Sequence, residues 1–159
     1  MIRKTLLITA FSLVALLIQI LFGPWLTIRE IRPDFLLILV LYVGRTRGKI
    51  GGQVFGFTIG LIADMIGLGS FVGLSALTKT IAGFGAGLLK NRNHRLNPVL
   101  FYGFEVLIIG LHYTIFYMVN FKGIEISSQL LFLHYILPSI LYTGLFYFVI
   151  QYFLPPESE

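Results

Sequence analysis

The sequence predicts an all-α polytopic membrane protein with six transmembrane helices, the second of them short. Three observations predict it. Of 159 residues, 57% are hydrophobic and only 12% are charged, whereas soluble domains carry about 25% charged residues. The mean hydropathy is +0.88. The apolar residues fall into runs joined by short connections, so no stretch is left over for a soluble domain. Cysteine is absent, which excludes disulfides and thiolate metal sites. The chain forms one transmembrane domain over 1–159.

A spanning helix needs roughly 20 mainly apolar residues, each adding about 1.5 Å across a hydrocarbon core of about 30 Å. Residues 5–22 form the first run and stop at Gly23-Pro24. Arg3 and Lys4 precede it as a signal peptide's basic region would, but the run is too long and no small-residue cleavage site follows, so it is a retained helix. Residues 33–44 form the short second segment. Residues 50–66 and 71–89 form the third and fourth spans, each next to a basic cluster. The fifth, 98–119, starts with Asn97 as cap and Pro98 at the first helical position. The sixth, 128–154, starts at Ser127 or Ser128 and ends at Pro155-Pro156.

Lysine and arginine set the orientation, because cytoplasmic loops hold them in excess. With six crossings and the N-terminus inside, Arg3, Lys4, Arg45, Arg47, Lys49, Lys90, Arg92 and Arg95 lie inside, against Arg29, Arg32 and Lys122 outside. A five-crossing arrangement that leaves the second segment out divides the charges equally well. Six is favoured, because Arg3 and Lys4 directly precede a span and because residues 35–43 would otherwise place nine consecutive apolar residues in water. Both termini are then cytoplasmic. The net charge of +5 is topological and argues against a nucleic-acid partner.

Gly48, Gly52, Gly56 and Gly60 recur every four positions up to the third span, with Asp64 continuing the series, and Ser75, Lys79, Gly83 and Gly87 do the same on the fourth. Such stripes let membrane helices approach closely. A tight turn near 67–70 makes the pair an antiparallel hairpin, with Gly52 facing Gly87, Gly56 facing Gly83, Gly60 facing Lys79 and Asp64 facing Ser75. Asp64 and Lys79 are charged residues in apolar segments, each costing about 2.5–3.5 kcal/mol at a helix centre, and each needs a partner. Their side chains lean toward one another, which predicts an intramembrane ion pair. Glu105 and His112 share one face of the fifth span, and His134 stands at a similar depth on the sixth. Two histidines and a distant glutamate do not make a metal set; inter-helix polar contact is the expectation. No nucleophile–base arrangement and no phosphate loop is present, so neither a catalytic residue nor a cofactor is expected.

The stretch Arg32-Pro33-Asp34-Phe35-Leu36-Leu37, then Gly56-Phe57 with Gly60-Leu61 and Asp64, then Gly73-Leu74 with Ala76-Leu77, resembles the MreD family of bacterial rod shape-determining membrane proteins. The resemblance implies that Pro33, Asp34, Gly56, Gly60, Leu61, Asp64 and Gly73 are family-motif positions. It implies a non-enzymatic scaffold in the cytoplasmic (inner) membrane that maintains rod shape. Such a scaffold binds the transmembrane helix of MreC and works indirectly with MreB, RodA and penicillin-binding protein 2 in peptidoglycan synthesis. It also implies a six-helix fold like that of the substrate-binding subunits of energy-coupling-factor transporters. That likeness raises an alternative, a subunit binding a small vitamin-like solute. Those subunits present alanines four apart on the first helix to a coupling protein, whereas Ala10 and Ala15 here are five apart, so the scaffold is favoured.

Overall fold

The computed structural model describes residues 14–67, 71–92 and 97–153. The start of the first span with Ala10, Arg3 and Lys4, the turn at 68–70, the basic stretch at 93–96 and the terminal prolines lie outside the described residues.

Among the described residues the fold is helical, with one isolated bridge between Ile28 and Ile31. Helix α1 covers 14–21. Helix α2 runs Phe35–Met65, α3 Leu74–Leu88, α4 Pro98–Asn120 and α5 Ser128–Phe153. Helices α4 and α5 are long and apolar enough to cross a membrane, yet only 33% and 28% of their spans are buried within the protein. An apolar helix with most of its surface uncovered is stable in lipid and not in water. Trp25, 89% exposed in the α1–α2 connection, suits a membrane–water interface.

The segments expected at 33–44 and 50–66 are the two helical arms of α2, and they meet at a break in the helix rather than through a loop at 45–49. The reversal takes place at one residue. Gly48 has φ 85° and ψ −173°, a conformation that L side chains rarely adopt. Beyond it the chain folds back: Leu36 and Val40 on the first arm pack with Ile59 and Ala63 on the second, and Leu16 of α1 joins them. With the turn made by one glycine, no loop is needed.

Three local devices fix the other ends. Asp34 caps α2, its Oδ1 accepting from the Leu37 N–H at 2.8 Å. Asn97 caps α4 through the Val99 N–H, with Pro98 behind it where no N–H is needed. Ser127 caps α5. Pro138 cannot donate to the His134 carbonyl and its ring crowds it. The preceding turn, Phe132–Ile136, widens into a π-helix, in which the Leu137 N–H reaches the Phe132 carbonyl. The main core cluster joins Leu37 and Leu41 of α2, Ala82 and Ala86 of α3, Phe101, Ile109 and Tyr113 of α4, and Ile136 and Tyr147 of α5.

Candidate functional site

The glycine stripes meet at backbone contact, one helical turn away from the expected register. A Cβ on Gly52 would strike the Gly83 carbonyl, one on Gly56 the Lys79 carbonyl, and one on Gly60 would stand 2.6 Å from both the Ala76 Cα and the Ser75 carbonyl oxygen. Gly87 meets the backbone of Gly48 and Lys49 at the elbow of α2. So Gly52 faces Gly83 rather than Gly87, and Gly56 faces Lys79 rather than Gly83. The shift originates at the start of α3. Gly73 sits in the left-handed region at φ 93°, and the Asp64 carboxylate accepts the N–H groups of Gly73 (2.8 Å), Ser75 (3.1 Å) and Ala76 (3.3 Å). A helix start leaves its first N–H groups without partners and carries partial positive charge, which a carboxylate satisfies.

This corrects the expected Asp64–Lys79 ion pair. Asp64 is consumed by the start of α3, and Lys79 lies a turn and a half further along. The Lys79 Nζ is 2.6 Å from Oδ2 of Asp34; the lysine is buried and the aspartate half-buried. His112 places Nε2 3.8 Å from the same oxygen, beyond hydrogen-bond distance. Three helices thus converge on Asp34, and two more hold its backbone. Gln19 of α1 donates through Nε2 to the Pro33 carbonyl (3.2 Å) and accepts the Phe35 N–H through Oε1 (2.9 Å). Thr143 of α5 accepts the Asp34 N–H (3.2 Å) and bonds the Tyr113 hydroxyl of α4. The Pro33-Asp34-Phe35 turn is therefore the point at which every described helix is tied together. Leu61 is half-buried on α2 and takes no part in this junction.

A second buried charge cluster lies in the main core. Arg45 Nη1 is 2.9 Å from Glu105 Oε1, the Tyr147 hydroxyl donates to the same oxygen at 2.7 Å, and the guanidinium lies 4.8 Å from the centre of the Phe101 ring. Arg45, which the topology count assigned to a cytoplasmic loop, is buried. Glu105 and His112 share the inner face of α4 but serve different clusters, and His134 is exposed. Sequence reading missed Gln19, Arg45 and Thr143. The available signal was the same for all three: a polar residue inside or beside an apolar run, in a setting where that is costly.

Beside Asp34 a cavity of about 280 Å³ opens toward the 22–33 connection and the end of α4; Glu30, Arg32, Lys79, His112 and Tyr117 are among its lining residues. Among the described residues no group of His, Cys, Asp and Glu is arranged to hold a metal ion.

The family model for rod shape-determining protein MreD matches residues 1–155 of the chain. The chain belongs to the MreD family. Comparison with curated proteins and with solved structures finds no match. Membership makes this a membrane protein with a role in rod-shape determination. In this MreD-family chain, Asp34 is the junction of the helices, Asp64 and Gly73 start α3, and Gly56 and Gly60 are the seam on which α3 lies.

Proposed function

We propose that the protein is a non-enzymatic scaffold of the lateral-wall elongation machinery in the bacterial inner membrane. It binds the transmembrane helix of MreC and, through that complex, acts with MreB, RodA and penicillin-binding protein 2. The observation that carries this reading is the family match over 1–155. The structure is compatible with it in physical terms. A seam of backbone contacts, the buried Arg45–Glu105 pair and the partly buried Lys79–Asp34 pair tie the helices to one another, and α4 and α5 leave most of their apolar surface to lipid or to another helix. Helix association in a membrane rests on such packing surfaces.

A clean deletion in a rod-shaped host is expected to give round cells, restored by the wild-type gene, and tagged protein in mild detergent is expected to retain MreC. Rod shape and wall insertion unchanged by the deletion, with no second copy of the gene, would remove this reading.

The scaffold crosses the membrane six times, the two arms of α2 counting as separate crossings with Gly48 at the cytoplasmic face. Reporters fused after Lys49, after Arg95 and at the C-terminus are expected to report cytoplasm, and one after Glu30 the outside. A cytoplasmic signal at Glu30 would mean that the first arm does not cross.

A further inference from the structure

We propose that the exposed basic cluster at the elbow of α2 and the end of α3 binds the headgroup of an anionic phospholipid. The site is independent of the scaffold reading. The six-crossing orientation adds only that the lipid belongs to the cytoplasmic leaflet.

The cluster is made by the fold. Gly48 reverses the chain within one residue, so Arg47 at the end of the first arm and Lys49 at the start of the second flank a single point. The end of α3 arrives at the same point. A Cβ on Gly87 would stand 2.4 Å from the Lys49 nitrogen, and one on Gly48 would stand 3.3 Å from Cδ of Lys90. Past Lys90 the chain turns through Asn91 at φ 57°, and the Arg92 N–H reaches back to the Leu89 carbonyl, which keeps Arg92 at this helix end. Arg47, Lys49, Lys90 and Arg92 are all exposed. An orientation signal needs positive charge on one side of the membrane. It does not need four cations gathered from three pieces of chain onto a base without a loop.

The cluster is also not neutralised. Among the described residues none of the four makes an ion pair. Glu105, the described acid on this half of the molecule, is buried and held by Arg45. The opposite end differs: Arg29, Glu30, Arg32 and Asp34 alternate in sign, and Lys122 stands three positions from Glu125. Cations held together beside a membrane repel one another and attract anionic headgroups.

The neighbouring surface decides what carries the anion. Ile50 directly follows Lys49, and Ile50, Val54 and Phe57 form one exposed stripe along the second arm, leading away from the cluster. A phosphate held by the lysines lays its acyl chain along that stripe. A soluble phosphate would use the cations and leave the stripe idle.

The test uses the full-length protein, purified in mild detergent and stripped of lipid. It reads thermal stabilisation together with lipid retention in native mass spectrometry. The probes are phosphatidylglycerol, phosphatidylcholine with the same acyl chains, and inorganic phosphate. Phosphatidylglycerol is expected to stabilise the protein saturably and to be retained, and the other two are not. Lys49→Gln combined with Lys90→Gln is expected to weaken phosphatidylglycerol by about twenty-five-fold, about fivefold for each charge removed, whereas Lys49→Arg combined with Lys90→Arg keeps it. Arg29→Gln combined with Lys122→Gln removes as many charges from the other end and is expected to change nothing. High salt is expected to weaken binding to the wild type, because exposed charges are screened, and that measurement needs no variant to fold. Equal responses to the two lipids, equal stabilisation by inorganic phosphate, indifference to salt, or the same loss from charges removed at either end would overturn the proposal. Binding that appears only after Glu157→Gln and Glu159→Gln would mean that the chain's own tail holds the cluster, and would overturn it as well.

Discussion

Gly52→Ala and Gly83→Ala are each expected to deplete the folded protein sharply, although alanine is the best helix former. The added methyl on Gly52 would occupy the position of the Gly83 carbonyl, and the methyl on Gly83 that of the Gly52 carbonyl. Both obstacles are backbone, so no rotamer change relieves them, and α3 as a whole must move away from α2. Overpacking costs typically about 1–3 kcal/mol and occasionally more; a rigid obstacle on both sides belongs at the upper end. Gly44 depends on the same carbonyl, which would be 2.7 Å from its own Cβ, so separation at one glycine loosens both arms of α2. Gly56→Leu, against the Lys79 backbone, is expected to be as damaging. Gly103→Ala is the matched control. It meets nothing within 4 Å and is expected to be neutral or to gain up to about 1 kcal/mol of helix propensity. Membrane abundance and thermal stability in mild detergent measure all four. A wild-type melting temperature for Gly52→Ala would mean that the seam does not exist.

Lys79→Met is expected to be the most damaging single change of a polar residue. Asp34 would remain in place with a charge, without its 2.6 Å partner, at the junction of all the described helices. Removing one member of a fully buried pair costs about 3–5 kcal/mol, mainly because the other charge is stranded, whereas removing both is often far milder; Asp34 is half-buried, which places the loss at or below the lower end. Asp34→Asn combined with Lys79→Met is therefore expected to recover much of the loss, the more so because asparagine still caps α2. Asp64→Asn combined with Lys79→Met is expected to show simple addition, since Asp64 holds the start of α3 and not the lysine. The check is a pair of double-mutant cycles read as detergent melting temperatures. Coupling in the Asp64 cycle and none in the Asp34 cycle would reverse the assignment made from the geometry.

The glycine seam was legible because a period of four is a local signal, and small residues on a membrane helix have few other uses. Its register was not. A register depends on where the second helix begins, and α3 begins where Asp64 and the left-handed Gly73 together start it. The charges were likewise easier to find than to pair. Asp64 and Lys79 stood out in apolar runs, but which acid a lysine meets is decided by three-dimensional neighbours: Asp34 is 45 positions away in sequence. Arg45 was hidden by its company, because next to Arg47 and Lys49 it reads as one more cytoplasmic charge. Only the fold-back at Gly48, a single residue with no turn sequence around it, brings it inside to Glu105. The cavity had no sequence signature, since its lining comes from five separate stretches of chain.

The long sequence separation of these pairs also orders the protein's biogenesis. Asp34 leaves the ribosome 45 residues before Lys79. At synthesis rates of about 5–20 residues per second, roughly 2–9 s pass in which the acid has no lysine to meet. Arg45 waits longer for Glu105, and the Tyr147 hydroxyl that completes that cluster arrives 102 positions after the arginine. Neither ion pair therefore exists while α2 is being synthesised, and its charges are unmatched until the later helices arrive. The later helices then act as the clasp. A nascent chain stalled before α3 is expected to be a ready substrate for membrane quality control, and commitment to the native state comes late in translation.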